Sequence, residues 1–200
     1  LTSDQVTAFA SAGAMHVLAV SGLHVGIIFM ILNLLFKPLL KVRYGKYLKA
    51  FLLLISLWGY AAVTGLSPSV TRACTMFSFV IVGQMINRHT NIFNTIATSA
   101  VFLLILNPFY IVEVGFQLSY LAVLGIVLLQ PRIYELWKPK YWLVEKIWAI
   151  TAVSMAAQLA TFPLGLLYFH LFPNYFLLSS LVVIPAATVI LCVGIALVTF

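Results

Sequence analysis

The sequence predicts an all-α fold: a polytopic transmembrane helical bundle with about seven membrane segments, several of them short or broken. Three observations carry this. Apolar residues fill 64% of the 200 positions and charged residues only 8%, whereas soluble domains carry about a quarter charged residues. Mean hydropathy is +1.13. The apolar runs approach the ~20 residues that a helix needs to cross a bilayer.

Met15–Phe36 opens the series. It does not read as a signal peptide, because it holds His16 and His24, follows a polar stretch and lacks a small-residue cleavage site after it. Ala50–Thr64 follows, then Val70–Ile86, whose start is marked by Ser67 as a cap and Pro68 at the first helical position. Asn91–Leu106, Phe116–Gln130, Ile147–Tyr168 and Phe176–Phe200 complete the set. Several of these are short for a full span, which suggests local thinning, tilted neighbours or breaks where backbone lines a cavity. With no initiator Met and an apolar end at Phe200, residues 1–200 read as one transmembrane domain excerpted from a longer protein. Cys74 and Cys192 have no metal-ligand spacing and read as buried small hydrophobes.

The charges set an orientation. Lys37, Lys41, Arg43, Lys46 and Lys49 fall in the first connection, Arg88 in the third, and Arg132, Lys138, Lys140 and Lys146 in the fifth. Alternating crossings put these three connections on one side, so ten of the eleven Lys and Arg share a face that the positive-inside rule makes cytoplasmic. The N-terminal stretch Leu1–Gly13 is then outside. A net charge of +7 invites a nucleic-acid reading, but topology already explains every basic residue except Arg72. Trp137, Trp142 and Trp148, interleaved with lysines, read as a segment on the membrane surface, with base stacking as the alternative. Tyr168, Phe169, Phe172, Tyr175 and Phe176, with Phe109 and Tyr110, admit the same two readings on the outer side.

Three polar constellations interrupt the apolar runs. Ser21, Gly22, His24 and Gly26 form the first. Gly22 and Gly26 are a small-xxx-small pair that lets another helix or a ligand approach, and an intramembrane His marks a functional site by default. His24 either serves a transport path or bonds a neighbouring helix. The second is Thr64–Arg72. A helix N-terminus there, with the Arg72 charge, would suit a phosphate; equally, Arg72 would pair with Glu113. The third runs from Asn107 through Glu113, Gln117 and Ser119, and Gln158 is placed to join it; interhelical hydrogen bonding is the alternative role.

The stretch Ala19–Val20–Ser21–Gly22 with Gly26 approaches the rhomboid GxSGxxxG pattern, but Ala replaces its first glycine and His170 lacks the expected glycine-rich setting. There is no Walker A motif, no HxHxDH run, no HExxH and no intramembrane carboxylate pair. Hence no cofactor, metal or catalytic residue is assigned, and the chain does not read as an enzyme.

At these motifs the chain resembles the competence domain of ComEC-type DNA uptake proteins. The matching stretches are His16–Val25, Gly65–Ala73 with Met76, Asn107–Phe109 and Gly115–Tyr120, in family order. The SGLH and GFQLS stretches are distinctive together. The resemblance implies a bacterial inner-membrane channel that passes single-stranded DNA into the cytoplasm during natural transformation. Ser21, Gly22, His24, Arg72, Glu113, Gln117, Ser119 and Gln158 would then line or brace the path. The partners implied are single-stranded DNA, membrane lipids, a cytoplasmic motor ATPase and DNA-receptor proteins, with room for a homo-oligomer. Alternatives are an intramembrane serine hydrolase centred on Ser21 and His24, or a small-solute transporter.

Overall fold

A computed structural model of the chain describes residues 22–86, 91–137, 139–170 and 176–199. These residues form seven α-helices and two short 3-10 turns, with no strand among them. Leu1–Gly13, Arg88 and Lys138, which entered the charge argument, lie outside the described residues. So do Ser21, Phe172 and Tyr175. The described residues divide into two compact units, one ending at Phe116 and the other starting at Gln117.

The first unit contains α1 (Gly22–Leu35), α2 (Gly45–Val63), α3 (Pro68–Met85) and α4 (Ile92–Leu106). Helix α3 is central and packs on α1, α2 and α4. Burial follows from that. On α2 the buried positions Ala50, Leu53, Leu57 and Ala61 form a single stripe at helical spacing. On α3, Val70, Arg72, Cys74, Thr75, Ile81 and Gly83 are buried, which covers more than one face. Aromatic pairs mark the seams, Phe29 stacked on Phe77 at 4.7 Å and Phe79 edge-on to Phe102 at 5.7 Å. The Trp58 indole N–H donates to Ser78 Oγ at 3.1 Å, tying α2 to α3.

Helix ends follow local chemistry. Gly45 opens α2 because its α-carbon lies against the Leu39 carbonyl of the Lys37–Lys41 turn, where no Cβ fits. Helix α2 closes in a Schellman arrangement: Leu66 N–H donates to Ala61 O at 2.8 Å and Gly65 N–H to Ala62 O at 3.1 Å, with Gly65 left-handed at φ 74°. Asn91 caps α4 by accepting from Phe93 N–H at 3.1 Å.

The second unit holds the body of α5 (Val114–Glu135), with α6 (Trp142–Phe169) and α7 (Phe176–Thr199). Ala156 and Ala160 on α6, one turn and two turns beyond buried Ala152, meet Gly125 of α5 in a small-residue seam of the kind that drives packing in lipid. Hydroxyls of Thr151, Ser154 and Thr161 donate to carbonyls of their own helix, so they cost little in an apolar setting. At 28 residues, α6 is ~42 Å long, well beyond the hydrocarbon core. Its first turns hold Trp142 and Trp148, so the Trp-rich stretch runs directly into a helix that is long and apolar enough to cross a membrane. Trp137 lies edge-on to Trp148 at 5.5 Å.

The outer surface is apolar. Val63 is 88% exposed and Ile105 74%, on helices that would be insoluble in water if arranged this way. Four helices, α2, α5, α6 and α7 up to Gly194, are long and apolar enough to cross a membrane, while α1 and α4 are shorter apolar helices. Cys74 is buried as expected; Cys192 is exposed on α7, contrary to expectation, because α7 presents most of its circumference outward.

Candidate functional site

The connection after α2 ends in a sharp turn. Leu66 is also left-handed, at φ 51°, a conformation that costs a branched side chain of order 1 kcal/mol or more. Ser67 then extends and Pro68 starts α3. Ser67 does not cap the helix as expected; its Oγ is buried without a hydrogen-bond partner among the described residues. Thr71 stabilises the turn instead, its hydroxyl lying 3.2 Å from Leu66 O and 3.1 Å from Ser67 O.

One residue further, Arg72 turns into the bundle. Its side chain is 10% exposed, and Nη1 lies 3.6 Å from Glu113 Oε1, whose side chain is 37% exposed. At that distance the two form an ion pair and not a close hydrogen bond. Glu113 follows the Pro108–Val112 turn and immediately precedes α5, where a carboxylate also meets the positive end of the helix dipole. Gly115 makes room for the pair: a Cβ there would lie 3.3 Å from Arg72 Nη2 and 3.5 Å from Glu113 Oε1. Leu66, Pro68, Thr71, Arg72, Leu103 and Tyr110 enclose a cavity of about 60 Å³ beside the guanidinium. Asn107 shapes its far side by accepting from Phe109 N–H at 3.1 Å, so that the Pro108 turn holds Tyr110 in place.

The structure therefore joins the second constellation to the Glu113 end of the third. The first remains separate. Gly22 and Gly26 face α3, with Cβ positions 3.4 Å from Ala73 Cβ and 3.6 Å from the Phe77 ring. His24, two residues on from Gly22, is rotated about 200° away from that seam and is half-buried. In the second unit Gln117 accepts from the Tyr168 hydroxyl at 3.2 Å, which links the start of α5 to the end of α6. Ser119 and Gln158 are half-buried on α5 and α6. Among the described residues, no group of three His, Cys, Asp or Glu side chains is placed to hold a metal.

Sequence reasoning named Thr71 within the second constellation and Tyr110 among the outer-side aromatics, but not their places in the turn and the cavity wall, and it missed the spacing role of Gly115. The last had a visible signal: a glycine in the first turn after Glu113, where helix propensity favours almost any other residue.

Among the described residues, an apolar exterior, helices long and apolar enough to cross a membrane and a partly buried Arg72–Glu113 ion pair define a polytopic helical membrane protein. The chain belongs to the competence protein family, whose model, described as "Competence protein", matches residues 1–200. It is 32% identical over 185 residues to ComE operon protein 3 of Bacillus subtilis strain 168. That alignment covers 92% of this chain and 23% of the relative, so the chain spans about a quarter of the relative's length. No solved structure matches.

Proposed function

We propose that this domain forms part of an inner-membrane channel that admits single-stranded DNA during natural transformation. Family membership supports a role in competence. The observation that carries the finer reading is the Arg72–Glu113 pair beside a small cavity at a helix break. A buried arginine is costly in a bilayer unless paired. A partner carboxylate that is more than a third exposed can be exchanged for a phosphate of a passing strand. A motor ATPase would supply the energy, DNA-receptor proteins would deliver the substrate, and several copies would be free to assemble around one path.

A strain lacking the gene tests this. The expected result is loss of internalised DNA with DNA binding at the cell surface retained; normal internalisation overturns it. Ser21→Ala should complement such a strain. Failure to do so at normal protein level, with labelling of the wild type by a serine-reactive probe, favours the hydrolase reading.

The topology is a second expected outcome. Cysteine labelling of intact cells should reach a cysteine placed at Ser3 and not one placed at Lys46. The basis is the one-sided charge distribution. Labelling at position 46 from outside would invert the orientation.

A further inference from the structure

The opposite, basic end of the first unit holds a larger cavity of about 230 Å³ between α2, α3 and the Lys37–Lys41 turn. Its floor is apolar, made by Leu53 and Ile81, each only 2% exposed. Leu40 forms a wall, and Lys46, Lys49 and Gln84 form the polar rim. Lys46 and Lys49 stand three residues apart on α2, so they share a face, and that face continues to Leu53 four residues later. Both lie within the first two turns of α2, where the helix dipole adds positive potential. The stretch Lys37–Lys49 holds five basic residues and no acidic one.

We propose that this cavity binds the phosphate headgroup of an acidic phospholipid. The two lysines and Gln84 would take the phosphodiester oxygens, and the glycerol end of the acyl chains would lie on Leu53, Ile81 and Leu40. The depth fits: the cavity sits where an apolar helix meets its basic terminus, the level at which headgroups lie and at which basic pockets between membrane helices hold anionic lipids. The apolar floor favours a lipid over a nucleic-acid strand, whose backbone offers charge and sugar but no hydrocarbon to cover Leu53 and Ile81. This inference requires only that the chain spans a membrane and is independent of the DNA reading.

The test uses the purified full chain in neutral detergent, titrated with phosphatidylglycerol, phosphatidylcholine, inorganic phosphate and a single-stranded oligonucleotide. Bound lipid is followed by native mass spectrometry and stability by Tm. Phosphatidylglycerol should bind and raise Tm. The Lys46→Gln/Lys49→Gln double variant should weaken that binding about thirty-fold, from the usual contribution of a lysine at an anionic surface. Lys37→Gln/Lys41→Gln, which removes two charges of the same stretch that do not line the cavity, should leave it nearly unchanged. Gln84→Glu, a near-isosteric change at an exposed rim position, should weaken it without loss of fold, because the new carboxylate occupies the lysines. Equal binding of phosphatidylcholine, or equal loss in the Lys37/Lys41 variant, would overturn the proposal. So would a Tm rise with inorganic phosphate matching that with lipid, which would make this a free-anion site. Tighter binding of the oligonucleotide through the same lysines would make it a nucleic-acid contact instead.

Discussion

Glu113→Gln is expected to lower the folded protein recovered from membranes more than Arg72→Gln does, and combining the two should recover much of the loss. The asymmetry comes from burial. Arg72 is 10% exposed and Glu113 37%. Removing the carboxylate takes the ion-pair partner from a largely buried guanidinium, which costs up to about 3–5 kcal/mol where burial is complete and less here, because the carboxylate is partly accessible. Removing the arginine leaves a carboxylate that is already reachable at a helix start, with the α5 dipole still favouring it. The double variant leaves no charge unpaired. Thermal aggregation of the detergent-solubilised protein measures the first effect, and DNA internalisation at matched protein level measures the second. A phosphate role for Arg72 predicts that Arg72→Gln keeps near-normal abundance yet loses uptake, while Arg72→Lys retains part of it through its point charge. Uptake restored in the double variant would reduce the pair to a structural one.

Gly125→Leu is expected to unfold the second unit or to displace α5 from α6. Even a Cβ at Gly125 would collide with Ala160 Cβ and would lie 2.9 Å from the Ala156 carbonyl oxygen. Neither neighbour can give way, since one is a methyl fixed on a helix and the other is backbone. Gly125→Ala should therefore cost about 1–3 kcal/mol by overpacking, and leucine should exceed what the seam can absorb. Gly165→Ala on α6 is the control, because nothing lies within 4 Å of its Cβ position. Comparison of Tm and membrane yield decides the matter. Equal behaviour of Gly125→Ala and Gly165→Ala would show that the α5–α6 seam is looser than this geometry.

The seven helices were legible in the chain because lipid imposes a simple rule: each span needs a long apolar run and satisfies its backbone internally. Runs such as Asn91–Leu106 match the observed helices closely for that reason. The breaks were legible too, since Gly65 and Pro68 act through their own φ angles. Candidate partners could be named, and Arg72 with Glu113 was one of two open readings; only the packing of α3 against the start of α5 brought them to 3.6 Å. The packing also decided what local rules got wrong. Ser67 has the chemistry of a cap but makes no cap hydrogen bond, while the Thr71 hydroxyl bonds the carbonyls of the same turn. Cys192 is apolar enough to be buried but sits on a helix that faces outward. Composition and periodicity depend on each residue and its near neighbours, so the chain by itself determined the spans, their breaks and the charge asymmetry. Close approach depends on residues far apart in sequence. The Gly115 gap, the Gly125 seam and the lysine-rimmed cavity over Leu53 and Ile81 therefore exist only once the helices are packed.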